Sequence, residues 1–307
     1  MNEIKLFAPA TIANVSCGFD VLGLCLDTVG DEMIIRRSNI KGVKITKIIG
    51  QDLPLDTEKN VAGVAVLALL KKLNSDAGFE IEIYKNIKPG SGIGSSAASS
   101  AGAVFGVNKL LGTPFSLQEL VPFAMEGEKL ASGTAHADNV APALLGGFTL
   151  IRSYQPLDIV KIAAPSALYA TVVHPQIEVK TADARSVLKQ TVSLQQTVTQ
   201  LGNLGGLISG LYTENYELIG RSLHDEIVEP YRSILIPEFE NAKKAALEAG
   251  ALGSGISGSG PSIFALSKSK ETARKVGQAM ALVYKNIEID FDIHVSKVNA
   301  NGIKIIK

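Results

Sequence analysis

Apolar and polar positions alternate over residues 4–8 and 32–49, where isoleucine and valine are interleaved with polar side chains, and the pattern predicts strands. Over 58–74 the apolar period lengthens to that of a helix, which ends in "KKLN". "FEIEIYK" at 79–85 returns to the alternation of a half-buried strand. The next stretch, "IKPGSGIGSSAASS" at 87–100, carries almost no bulky side chain, and from about Ser95 a helical pattern runs through Leu111. A flexible linker is also rich in glycine and serine, but it has no reason to sit between a strand and the start of a helix. Further along, the pattern predicts a helix over 116–130 and a strand at "GGFTLI", 146–151.

At 152–166 the composition shifts to "RSYQPLDIVKIAAPS", with two prolines, and this predicts a boundary between domains at 1–160 and 161–307. Beyond it come a strand at 168–174, helices between 182 and 248, and a second glycine loop, "GSGISGSGPS". A strand "IFALS", a helix at 270–284 and a strand near 288–297 complete the order. Strands and helices mix without strict alternation, which predicts two α+β domains.

Composition adds exclusions. With 30 basic and 30 acidic residues among 307, the formal net charge is zero, so no overall electrostatic footprint for nucleic acid or an anionic membrane exists. Cys17 and Cys25 are too few and wrongly spaced for a disulfide framework or a zinc site. The start, "MNEIKLFAPA", lacks the basic and apolar regions of a signal peptide. The longest apolar run, "VAGVAVLALL", is about half a membrane span. A cytoplasmic chain with reduced thiols is expected, and the glycosylation pattern Asn14-Val15-Ser16 is set aside.

The glycine loop points to chemistry. A loop without side chains lets backbone N–H groups approach a ligand, and the following helix start offers more of them, an arrangement that attracts phosphate. No Gly-Lys pair exists for a Walker A loop. Gly253, Gly255 and Gly258 match a dinucleotide fingerprint, but Pro261 and a strand-like run follow where a helix is needed. Neither a G-x-S-x-G elbow nor an H-E-x-x-H motif occurs.

"KPGSGIGSSAAS" resembles the phosphate loop of the GHMP small-molecule kinases, named for galactokinase, homoserine kinase, mevalonate kinase and phosphomevalonate kinase. "FAPATIANVSCGFDVLG" at 7–23 and "GSGISGSGPSIFAL" at 253–266 resemble the N- and C-terminal motifs of the same superfamily, in the same order. Mevalonate kinases generally place a lysine where this chain has Thr11, whereas "APATIANVSCGFDVLGLCL", "HADNVAPALLGG", "KTADARSVLK" and "EPYRSILIPEF" are similar to the homoserine kinase family. The resemblance implies a two-domain fold, the first domain like domain 2 of ribosomal protein S5 and the second ferredoxin-like, with the site in the cleft between them. It implies transfer of the ATP γ-phosphate to the hydroxyl of L-homoserine, a step toward threonine, with Mg2+ as cofactor. A homodimer is common in this superfamily.

Residue by residue, the resemblance assigns ATP to Pro89, Gly90, Ser91, Gly92, Ile93, Gly94, Ser95, Ser96, Ala97 and Ala98, with Asn60 and Val61 at the adenine. It assigns magnesium to Ser96 and Glu128, hard oxygen ligands of the kind that ion prefers, and the γ-phosphate to the Thr181 hydroxyl. Asn14, Asp20, His136, Asn139, Arg185 and Arg232 are assigned to homoserine, and the chemistry agrees: its ammonium needs a carboxylate, Asp20, and its carboxylate a guanidinium. Asn139 stands where mevalonate kinases and galactokinases have an aspartate suited to act as base. A neutral amide cannot take a proton, so no dedicated carboxylate base is expected. His136 is the nearby side chain that would overturn that expectation. Other readings stay open at this point: another small-molecule kinase, a silent ATP-binding sensor, or an NAD-dependent oxidoreductase.

Overall fold

The alternating segments build two sheets in the computed structural model, which describes residues 2–306. The first half of the chain runs β1 (Glu3–Ala13), β2 (Leu22–Ser38), β3 (Gly42–Ile49), α1 (Val61–Leu73) and β4 (Gly78–Tyr84). It continues through α2 (Ser95–Leu110), α3 (Leu117–Ser132), α4 (Val140–Leu145), β5 (Phe148–Tyr154) and β6 (Leu157–Ile162). The second half runs β7 (Tyr169–Pro175), α5 (Thr181–Ser186), α6 (Leu194–Tyr212), α7 (Tyr216–Ser222), α8 (Glu229–Arg232) and α9 (Phe239–Glu248). It closes with β8 (Gly253–Ile256), β9 (Ile263–Ser267), α10 (Lys270–Lys285), β10 (Phe291–Lys297) and β11 (Lys304–Ile306).

The larger sheet has the order β11-β1-β2-β4-β3, with β5 paired to β2 and β6 to β5. The smaller sheet is antiparallel in the order β10-β7-β9-β8, and β7, β8, α10 and their partners follow the ferredoxin-like succession of strands and helices. None of the helices among the described residues is long and apolar enough to cross a membrane.

Three expectations are revised. The run at 32–49 is two strands, β2 and β3, and β2 begins back at Leu22: Gly23, Asp27 and Gly30 break the apolar alternation, but pairing with β1 on both sides of an irregularity at 26–29 carries the strand past them. The proline-bearing stretch at 152–166 is mostly the β5–β6 hairpin, with Pro156 in its turn. The first half of the second glycine loop is β8, whose residues are all buried yet mostly too small to give a hydropathy signal.

α2 is the central helix. All but two of its 16 residues are buried, between the β1–β2 face of the large sheet and helices α1 and α3. Its small residues permit that closeness: a Cβ on Gly102 would lie 2.5 Å from Met33 Sδ. Under its first turn sits a buried ion pair. Lys85 Nζ donates to Asp31, to the Ser95 carbonyl (2.9 Å) and to Ser99 Oγ (3.2 Å), while the other Asp31 oxygen accepts from the backbone N–H groups of Asn86 and Ile87 (2.8 and 2.9 Å). Both side chains are at most 1% exposed, so each charge relies on the other.

Removing one member of such a pair strands the other. Lys85→Met is expected to lower the unfolding free energy by about 3–5 kcal/mol, and adding Asp31→Asn to restore much of it. Denaturant titration checks this; a single variant within about 1 kcal/mol of the wild type would contradict the role given to the pair.

Candidate active site

The three glycine- and alanine-rich segments singled out in the sequence meet at one place. The backbone N–H of Thr11 donates to the Ile93 carbonyl (3.1 Å), and that of Gly258 to the Ala13 carbonyl (3.1 Å). Ser257 Oγ donates to the Gly92 carbonyl (2.8 Å), and Asn14 Nδ2 to the Gly258 carbonyl (2.8 Å). At Gly94, φ is +70° and a Cβ would fall 2.1 Å from Thr11 Oγ1. The phosphate-type loop is therefore bare partly because two other segments lie against it.

These segments frame a cleft of about 730 Å³. At one end α2 begins, and its N-cap, Gly94, offers no side-chain cap to the first-turn N–H groups, which are left for an anion. Ser95 does not add a hydroxyl there, because its Oγ donates to the Ile87 carbonyl (2.9 Å) and closes the loop. Ser96 and Glu128 do line the cleft. Burial pushes the Glu128 carboxyl up to about 7, against the pull of the Ser96 hydroxyl and the Lys85 ammonium. Glu128 Oε1 is buried without a hydrogen-bond partner. An orphaned carboxylate oxygen beside a hydroxyl fits a magnesium ion, which takes one or two protein oxygens and draws the rest from phosphates and water.

At the other end, Asn14, Val15 and Ser16 hold φ values of 70°, 43° and 63°, a left-handed run that L residues rarely adopt. It turns the Asn14 carboxamide so that Oδ1 accepts from the Asp20 N–H (3.0 Å). Arg185 Nη2 donates to both Asp20 oxygens (2.8 and 3.1 Å) and to His136 Nε2 (2.8 Å). Because a guanidinium only donates, His136 Nε2 is an acceptor and its ring is neutral; burial likewise lowers its pKa. Arg232 is 3% exposed, anchored by bonds to the Ala184 and Gly258 carbonyls (2.9 and 3.0 Å), and burial lowers its pKa to about 10, helped by the like charge of Arg185. Both guanidinium groups stack over the Phe19 ring. Between the two ends, Thr11 Oγ1 donates to Asn139 Oδ1 (2.7 Å), which leaves the Asn139 amino group for a ligand.

The cleft brings together Asn14, Asp20, Val61, Pro89, Gly90, Gly92, Gly94, Ser95, Ser96, Glu128, His136, Asn139, Thr181, Arg185 and Arg232. Asn60, Ser91, Ile93, Ala97 and Ala98 stand outside that lining: Asn60 caps α1 by accepting from the Ala62 N–H (3.0 Å), and Ile93, Ala97 and Ala98 are core. Among the cleft residues that the sequence reasoning did not name, Lys85 and Asp138 carry buried charge. Lys85 ends an ordinary-looking strand, and its position directly before the glycine loop was the available signal. Asp138, next to Asn139, is 4% exposed with Oδ1 unpartnered, and burial, then Asp20 and Glu128, pushes its carboxyl up to about 7.

Comparison with known proteins follows the same lines. The family description "GHMP kinases N terminal domain" matches residues 60–147, and "GHMP kinases C terminal" matches 207–286. The homoserine kinase of Chlorobium phaeobacteroides strain BS1 is 50% identical, with all of both chains covered. That of Xylella fastidiosa strain M12 is 38% identical over 99% of this chain and 94% of its own. The crystal structure of homoserine kinase from Cytophaga hutchinsonii superposes with a TM-score of 0.96 at 56% identity, covering 100% of this chain and 98% of that one. Mevalonate kinase of L. major, crystallised with R-mevalonate, is 17% identical with a TM-score of 0.73 over 96% of each chain, and shares the fold alone.

Asp138 has a stability signature. Its folded pKa of about 7 lies above the ordinary 3.8, so its contribution is fully present below pH 4 and is lost as pH rises through 7. Asp138→Asn removes that loss. Its melting temperature relative to the wild type is expected to be higher at pH 8 than at pH 4, by the equivalent of about 2–4 kcal/mol. An equal difference at both pH values would contradict the burial of a titrating carboxyl.

Proposed function

The chain belongs to the homoserine kinase family of GHMP kinases and transfers the γ-phosphate of ATP to the side-chain hydroxyl of L-homoserine, and we propose how its cleft divides that work. The carrying observation is that one cleft holds an uncapped helix start beside Ser96 and Glu128 at one end and the Asp20–Arg185–Arg232 cluster at the other. ATP phosphates lie on the backbone from Pro89 to Ser96, and Val61 lies toward the adenine. Ser96 and Glu128 hold Mg2+, which supplies charge neutralisation at the phosphates. The Thr181 hydroxyl donates to the γ-phosphate.

Homoserine is a zwitterion and meets a zwitterionic cluster. Its ammonium is held by Asp20 and Asn14, and its carboxylate by Arg185 and Arg232, whose fork geometry suits bidentate contacts. Asn139, with its carbonyl oxygen held by Thr11, donates to the substrate hydroxyl. The hydroxyl oxygen then forms the bond to Pγ while the bond from Pγ to the bridging oxygen of ADP breaks. In a loose transition state the proton leaves late, to the transferred phosphate, so positioning and charge stabilisation supply the catalysis. His136 is no base in this scheme, because Arg185 occupies its Nε2 lone pair. The division of the chain near residue 160, a cytoplasmic location and a homodimer belong to the same reading.

ADP release with magnesium and ATP across homoserine, mevalonate, shikimate and a sugar tests the substrate assignment; equal rates with homoserine and with buffer alone would overturn it. Ser96→Ala is expected to depress kcat sharply with the fold intact. Ser95→Ala, by contrast, loses a loop-closing bond worth about 0.5–1.5 kcal/mol of stability and keeps most of kcat. Reversed effects would exchange the two roles. Asp138→Asn is expected to keep kcat within about tenfold, since general bases contribute on the order of 10²–10⁴; a loss in that range, with an ionisation near neutrality gone from the pH profile of kcat, would make Asp138 the proton acceptor.

A further inference from the structure

Two cations at the amino-acid end of the cleft share one neutral neighbour. The guanidinium carbon of Arg232 lies 5.0 Å from the centre of the Phe19 ring, and that of Arg185 lies 5.5 Å from it. Two like charges drawn to one spot repel each other, and the proximity of Arg185 is one of the causes that lower the Arg232 pKa. The face of an aromatic ring is negative and attracts a cation within about 6 Å of its centre. Phe19 is half-buried, belongs to neither hydrophobic core and does not line the cleft, so its ring serves neither the main packing nor direct contact with a ligand.

Its place is set by the backbone on both sides. The Gly18 N–H donates to the Asn14 carbonyl (2.9 Å), and the Leu22 N–H donates to the Gly18 carbonyl (2.9 Å). The Asp20 N–H is held by Asn14 Oδ1 (3.0 Å), and its carbonyl accepts from the Tyr154 hydroxyl (2.9 Å). The ring is thus presented to the arginines from a pinned turn.

We propose that Phe19 is a positioning residue that makes the site selective for an acceptor bearing a carboxylate, because its ring holds the Arg185 and Arg232 guanidinium groups together as a pair. The inference rests on the reading of these two arginines as the holders of the homoserine carboxylate. Each is tethered elsewhere by only part of its fork. Arg232 spends Nε and Nη1 on the Ala184 and Gly258 carbonyls, and Arg185 spends Nη2 on Asp20 and His136. Among the described residues, Nη2 of Arg232 and Nε and Nη1 of Arg185 make no hydrogen bond. A contact through the ring face holds a guanidinium without spending any of these donors. An acidic side chain between the arginines would also hold them, but it would repel the substrate's carboxylate. A neutral ring avoids that conflict. When the substrate ammonium takes Asp20, Arg185 loses the carboxylate that tethers it, and the ring contact remains.

Inhibition constants measured against L-homoserine separate the two charges. 4-Hydroxybutyrate carries the carboxylate without the ammonium, and 3-aminopropan-1-ol carries the ammonium without the carboxylate. In Phe19→Leu, the KM for homoserine and the inhibition constant of 4-hydroxybutyrate are each expected to rise about tenfold, the order of two cation–ring contacts. The inhibition constant of 3-aminopropan-1-ol and the KM for ATP are expected to stay at wild-type values. Phe19→Tyr, which keeps the ring face, is expected to recover most of the loss. Thermal melts followed by circular dichroism check folding, and Phe19→Met, also apolar and without a ring, decides the matter if the leucine variant fails to fold. Equal weakening of both analogues would make Phe19 a structural support only and overturn the proposal, as would a folded leucine or methionine variant with the wild-type KM for homoserine. Arg232→Ala in the same assay tests the underlying reading separately. If it weakens both analogues equally, or neither, the arginines do not hold the carboxylate, whatever the Phe19 variants show.

Discussion

The site depends on one constraint: three stretches of backbone, distant in sequence, are hydrogen-bonded at the same spot. The end of β1 holds the phosphate-type loop through Thr11 and the second glycine loop through Ala13, and that second loop returns to the first through Ser257. Side chains larger than hydrogen would push these stretches apart, most directly at Gly94. Because the junction also orients Asn14 and Asn139, the geometry of both ends of the cleft is set by the same contacts, and in the proposed reading these are the phosphate and amino-acid ends. A change that loosens the junction therefore disturbs both substrates together.

Around it the protein keeps an unusual load of buried charge. Lys85 and Asp31 neutralise each other beneath the first turn of α2 and stiffen the helix whose uncapped N-terminus opens on the cleft. Glu128 and Asp138 have no such partner within the protein, and each leaves an oxygen unsatisfied. Arg232 is buried on backbone carbonyls and sits beside another arginine. A fold selected only for stability would not retain these groups; they belong to a site whose ligands bring the missing counter-charges. Asp20 and Arg185, by contrast, satisfy each other, and in the proposed reading they exchange that contact for the two ends of a zwitterion.

Much of this was legible in the sequence because glycine loops, helix periods and strand alternation are local signals. The loop at 87–100, the helix after it and the residues that line both ends of the cleft followed from them and from the family resemblance. What escaped was set by tertiary partners. β8 is a strand because β9 pairs with it, though "GSGI" reads as a loop. β11 exists only against β1, and the short helix α4 carries no period of its own. Asn60 drew attention as an adenine contact, but its carboxamide is used as a helix cap, a role equally common for asparagine before an apolar run. Asp138 was invisible because burial, not residue type, makes it notable, and Lys85 offered only its place directly before the glycine loop.

The central claim is that this cleft reads homoserine by both of its charges while the phosphate loop presents ATP to its hydroxyl. The most direct test compares kcat/KM for L-homoserine with that for 4-hydroxybutyrate, which lacks the ammonium, and for 3-aminopropan-1-ol, which lacks the carboxylate. Each omission strands a charged group of the protein, so each analogue is expected to react at least about ten- to a hundredfold less efficiently, since a hydrogen bond to a charged group contributes about 1.5–3 kcal/mol. An analogue that reacts as efficiently as homoserine would contradict the reading of the Asp20–Arg185–Arg232 cluster as the homoserine site.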